Sequence, residues 1–204
     1  MKDNKKQEKE FSMQYWEYYC ALESDFKKMS RFIDFSEEDL KTHSIELTRI
    51  LLSACSELDV IFKDICFLIN PTLKPQKVND YRKIIRENWS EIIGEKVSVG
   101  FHFFNLQPFK PWENNETPKW WKMHNKVKHE RNTYFKEANL ENARNAICAL
   151  FICVNYYYMK KLKPLMEEQG KKNFSFKEVT AILKSENQFI KFTADYYIQT
   201  LRVN

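Results

Sequence analysis

Glycine is scarce: only Gly94, Gly100 and Gly170 occur in 204 residues. A dinucleotide-binding or P-loop phosphate cradle needs several glycines close together, so both are excluded. The same scarcity argues against a turn-rich all-β fold. The five cysteines (Cys20, Cys55, Cys66, Cys148 and Cys153) form no CxxC pair. An odd number without close spacing speaks against a disulfide framework or zinc ribbon, and predicts buried free thiols in a reducing cytosol. Long apolar runs are missing too. The longest, Ala146 to Val154, is far short of the roughly 20 residues that span a bilayer, so no membrane contact is expected. The start, MKDNKKQEKE, is polar with no apolar stretch behind it, so no signal peptide is expected and a cytoplasmic location follows.

What is present points to a globular chain. Hydrophobic residues make up 43% and aromatics 15%, whereas disorder goes with few aromatics. The length suits one domain with a sizeable core. A net charge of +5 permits an anionic partner such as nucleic acid, and equally describes an ordinary solvated surface.

Residues 1–10 read as a flexible charged tail, and 11–204 as a single helical domain. Phe11, Tyr15, Tyr18, Leu22, Phe26 and Met29 recur at helical spacing on one face. Ser36-Glu37-Glu38-Asp39 resembles an N-terminal cap followed by acids that favour the positive end of a helix dipole. From Ser44 to Ile69, the residues Leu47, Leu51, Ala54, Leu58, Ile61, Ile65 and Leu68 form an unbroken stripe, with Asp59 and Lys63 supporting the wet side. Glu57 lies close beside that stripe. It is either a boundary glutamate with its head in solvent or a polar residue turned toward a site between helices.

Asn70-Pro71 ends this helix. A shorter one over 78–93 carries Val78, Tyr81, Ile85, Trp89 and Ile92, with Gly94 as its stop. Alternation of Val97, Val99, Phe101 and Phe103 predicts a short extended piece, too little for a sheet. Residues 106–116, with Pro108 and Pro111, read as an ordered loop pinned by Phe109 and Trp112. Thr117 as cap and Pro118 at the first position start a helix expected to run to about Arg131 or Asn132. Asn139 caps the next, from Leu140 to about Lys163, closed by Pro164 and Gly170. A further short helix is expected over 174–183, and 189–203 suits helix or strand. The fold class is therefore mainly α, an antiparallel helical bundle with an irregular loop or short extended insertion at about 95–116.

The chemistry concentrates in residues 117–135, TPKWWKMHNKVKHERNTYF. At about 100° per residue, Trp120, His124, Val127 and Arg131 share one side of a helix, Asn125 and His129 an adjacent side, and Lys128 lies between. His124 and His129 are five apart and diverge by roughly 140°, so they do not form a helical zinc pair; no metal and no cofactor are expected. No Ser or Cys stands in a recognisable nucleophile elbow. Phosphate chemistry fits better. Lys119, Lys122, Lys126, Lys128, Arg131 and Lys136 supply cations, an imidazole moves protons near neutrality, and Trp120 or Trp121 could stack a base. The plainer reading is buried tryptophans and a solvated lysine face.

The run His124-Asn125-Lys126-Val127-Lys128-His129 resembles the signature of the HEPN superfamily (higher eukaryotes and prokaryotes nucleotide-binding domain). There an arginine, often followed by a polar residue, precedes a histidine in a late helix of an antiparallel bundle. The ACSELDVIFKDIC run within 44–69 is similar to that superfamily's earlier helix, and the likeness covers 44–69 and 117–163. The resemblance implies a homodimer that cleaves RNA without metal through attack by the 2′-hydroxyl, in toxin or antiphage-defence roles. It implies His129 as catalytic histidine, Asn125 as the motif's polar residue and Glu57 as a supporting glutamate. His124 occupies the place of the motif arginine, and Arg131 is its geometric substitute. The alternative is a member without nuclease activity that binds RNA, a nucleotide or a protein partner such as an antitoxin.

Overall fold

The computed structural model describes residues 12–168, Gly170, Leu183 and 189–193. The expected charged tail, the helix over 174–183 apart from Leu183, and residues 194–203 of the segment 189–203 lie outside the described residues. What is described is mainly helical, with a small three-stranded sheet.

Helix α2 (Ile45–Ile69) is central. The Ser44 hydroxyl accepts the Leu47 N–H at 3.1 Å, which starts the helix, and Leu47, Leu51, Ala54, Leu58, Ile61 and Ile65 are fully buried. Its main partner is α7 (Leu140–Glu168), which begins where Asn139 Oδ1 accepts the Asn142 N–H at 3.1 Å. Ala143, Ala146, Ala149 and Cys153 are buried along α7, and side chains this small let a neighbouring backbone approach closely. Helix α1 (Gln14–Met29) packs on both. Its buried face is Trp16, Tyr19, Leu22, Phe26 and Met29, so the expected stripe holds only in its second half; Tyr18 is 43% exposed. Ser36 does accept the Asp39 N–H, at 3.3 Å, but it opens a 3-10 turn (Glu38–Lys41) instead of an α-helix.

Other expectations need correction. Pro164 lies inside α7 and does not end it. A proline removes one helical N–H, a loss a helix with a long buried stretch behind it can bear. The helix expected over 78–93 is two, α3 (Val78–Asn88) and α4 (Glu91–Gly94). Trp89 leaves the helical region between them (φ −132°, ψ 53°), and its ring is buried beneath the Lys160 ammonium at 5.1 Å.

The extended piece does build a sheet. Strands β1 (Val97–Val99), β2 (Phe103–Leu106) and β3 (Ile190–Phe192) run antiparallel in the order β2-β1-β3, with Val97 opposite Phe192 and Val99 opposite Ile190. Gly100 turns the hairpin at φ +54°, donating its N–H to the Phe189 carbonyl at 2.7 Å. Phe101 sits in that turn, 80% exposed, so the expected alternation breaks there. The loop after β2 is ordered as expected: Phe109 and Trp112 are fully buried with ring centroids 4.7 Å apart around a 3-10 turn (Lys110–Asn114).

Helix α5 (Lys119–His129) starts one residue later than expected, with Pro118 as its cap. Thr117 caps nothing; its hydroxyl lies 3.4 Å from Asn79 Oδ1. The helix also stops early. Glu130 (φ −135°, ψ 51°) breaks it, and Arg131–Tyr134 form a separate turn, α6.

Candidate functional site

Helix α5 is held by its tryptophans. Trp120 donates its indole N–H to the Pro108 carbonyl at 2.9 Å, and the Trp121 ring packs 5.9 Å from Phe62 and 5.7 Å from His124. With Val127 these residues form the buried face of α5, so both tryptophans belong mainly to the core. At the N-terminal end, Lys119 is tied down by Glu141 at 2.9 Å, a carboxylate that also pairs with Lys41 at 2.6 Å. Toward the other end the cations stand open. No carboxylate among the described residues lies within 4 Å of Lys122, Lys126, Lys128, Arg131 or Lys136, although the Lys126 ammonium sits 4.7 Å above the Tyr134 ring.

Between α2 and α5 lies a groove of about 460 Å³. From α2 it takes Cys55, Ser56 and Asp59, and from α5 Trp121, His124, Asn125 and Lys128. Asn125, Lys128 and Ser56 are exposed, while His124 is only 6% exposed. Burial, and then the Lys128 charge, push the His124 pKa down to about 4; the adjacent Asn125 carboxamide and the more remote Asp59 only partly offset this. The ring is therefore neutral at pH 7. Its Nδ1 is sealed from solvent and has no hydrogen-bond partner among the described residues. Asp59 accepts the Tyr81 hydroxyl at 2.9 Å and pairs with Lys63, so its carboxylate is oriented where it meets the groove. Sequence periodicity had marked Asp59 only as helix support; its i+3 spacing from Ser56 was the signal that both face one neighbour.

The other candidates fall elsewhere. His129 is exposed beside Asn125 on α5, but it does not line the groove. Arg131 lies beyond the Glu130 break and is exposed, so its grouping with Trp120, His124 and Val127 does not survive; that grouping assumed one unbroken helix. Glu57 lines a different cavity, of about 830 Å³, between α1, α2 and α7, with Tyr15, Asp64 and Tyr157. It directly follows Ser56 on α2, and the turn of about 100° per residue carries it to another side of the helix. Half-buried there, its carboxyl is pushed up in pKa by desolvation. Within one chain, then, the structure joins His124, Asn125, Lys128 and Trp121 and leaves Glu57 apart. Among the described residues no group of three or more His, Cys, Asp or Glu could hold a metal ion, and no helix is long and apolar enough to cross a membrane.

The chain matches no family model, no curated protein and no solved structure. Its likeness to the HEPN superfamily rests on the motif residues and their helical context alone.

Proposed function

We propose that the protein is a HEPN-like ribonuclease that works as a homodimer and cleaves RNA without a metal ion. The observation that carries this reading is the open end of α5, where Asn125, Lys128 and His129 stand exposed together, without an ion pair among the described residues. In the proposed reaction, the His129 imidazole takes the proton of a ribose 2′-hydroxyl. The 2′-oxygen attacks phosphorus to give a 2′,3′-cyclic phosphate, and the 5′-oxygen leaves with a proton from solvent. Asn125 hydrogen-bonds a phosphate oxygen, and the Lys128 ammonium stabilises the charge that develops there. Lys128 takes the part expected of the motif arginine, since His124 is buried and neutral and Arg131 lies past the helix break.

Labelled RNA incubated with purified protein in EDTA tests the reading. Wild type should yield cyclic-phosphate ends, and His129→Ala should lose roughly 100-fold or more in rate, the usual contribution of a general acid–base group. Arg131→Ala should change little. Absence of cyclic-phosphate products, or a His129→Ala variant that cuts like wild type, refutes it.

The neutral His124 in place of an arginine favours a second reading: a module that binds RNA, a nucleotide or a protein partner such as an antitoxin, and cuts nothing. It predicts RNA binding by wild type with no cleavage under any condition.

A further inference from the structure

We infer that the α2–α5 groove is a base-reading subsite, which takes one unstacked base carrying an exocyclic amino group while the neighbouring phosphate lies at Lys128. This rests on the RNA-directed reading above and adds to it the identity of the nucleotide. Two observations place the base there. The groove holds about 460 Å³, ample for a single heteroaromatic ring, and the Cys55 side of α2 and the edge of Trp121 give it apolar walls. Its polar groups converge from both sides: Ser56 and Asp59 from α2, Asn125 and His124 from α5. Of these, His124 is more than nine-tenths buried, so a ligand reaches Ser56, Asp59 and Asn125.

Asp59 decides which bases fit. Its two oxygens hold the Tyr81 hydroxyl and the Lys63 ammonium, which fix the carboxylate while 38% of the side chain stays exposed. Each carboxylate oxygen keeps a second lone pair, so the group offers acceptors and no donor. Adenine, cytosine and guanine all present an amino group to such an acceptor. Uracil presents carbonyl oxygens at the same edge positions and is repelled. Lys128, exposed at the rim and without an ion pair among the described residues, is placed for the phosphate, which carries no base information.

The test is equilibrium binding of fluorescent tetranucleotides of adenylate, cytidylate and uridylate to the His129→Ala protein, which keeps the groove intact and slows cleavage by roughly 100-fold or more. The adenylate and cytidylate chains should bind at least about tenfold more tightly than uridylate, the value of one lost hydrogen bond in a buried site. Ser56→Trp, at an exposed position on α2, fills the groove and should abolish the preference. Lys128→Ala should weaken all three alike. Uridylate binding as tightly as the others, or a preference that survives Ser56→Trp, overturns the inference. AMP binding as tightly as the tetranucleotide reassigns the groove to a free nucleotide and overturns the placement of a strand. Because binding is read on a variant whose cleavage is strongly slowed, failed cleavage by wild type and a lost base preference remain separate results.

Discussion

His124 should make the protein acid-sensitive over a defined window. An ordinary histidine titrates near 6.5, and burial and Lys128 bring this one to about 4. Below pH 6.5 the unfolded chain takes up a proton here that the folded chain refuses until about pH 4. The unfolded state therefore binds more protons across the window, and stability falls as pH drops. Linkage between these two values gives almost no loss at pH 7.5, about 2 kcal/mol at pH 5 and about 3 kcal/mol at pH 4. Of the charged neighbours, Lys128 and His129 disfavour the imidazolium and Asp59 favours it, so the direction survives changes in any one of them. The comparison is His124→Gln against wild type in urea unfolding at pH 7.5 and 5. Whatever the glutamine costs at neutral pH, the gap between the two proteins should shift by about 2 kcal/mol in favour of the variant at pH 5. Remote carboxylates titrate in both proteins and cancel in that difference. An NMR titration reads the same quantity directly. A His124 ring that titrates near 6.5, or a gap that does not move with pH, refutes the reasoning.

Two more expectations concern the sheet, beside those for His129 and the tetranucleotides. Gly100→Ala should destabilise by about 1–3 kcal/mol, because φ is +54° and a Cβ would lie 2.7 Å from the Phe189 ring; thermal unfolding checks it, and an unchanged midpoint contradicts the left-handed turn. Glu23 is buried under the sheet, where one oxygen accepts the Tyr19 hydroxyl at 2.8 Å and the Ile190 N–H at 2.7 Å, and desolvation pushes its pKa up. Its folded form holds a proton the unfolded form has released, so its contribution is full below pH 4.5 and lost as pH rises through the raised value. Glu23→Gln keeps the accepting oxygen without the charge and should gain on wild type between pH 4 and pH 8; a gap independent of pH counts against it.

The helices were legible where burial follows a strict period. The stripe from Leu47 to Ile65 and the Asn139 cap were legible, because each depends on contacts within one turn of its own helix; Leu68, counted as the end of that stripe, is 39% exposed in the last turn of α2. The sheet was not legible, since β3 lies some ninety residues from β1 and three-residue strands carry almost no periodic signal. Nor was the break at Glu130, which nothing in the local composition demands; it moved Arg131 away from the face on which a helical wheel had set it.

The candidate site divides along the same line. Sequence alone determined that one short helix would carry two tryptophans, two histidines, an asparagine and several cations, and that Asn125 and His129 would be neighbours, because i and i+4 positions of any α-helix meet. Only the tertiary structure decided which imidazole is buried and which exposed, that Asp59 and not Glu57 shares a groove with Asn125, and that Lys119 is paired while Lys128 is open. Those facts depend on how α2 is rotated against α5. That rotation is set by Trp120, Trp121 and Val127 settling into the core, a packing that no local spacing encodes.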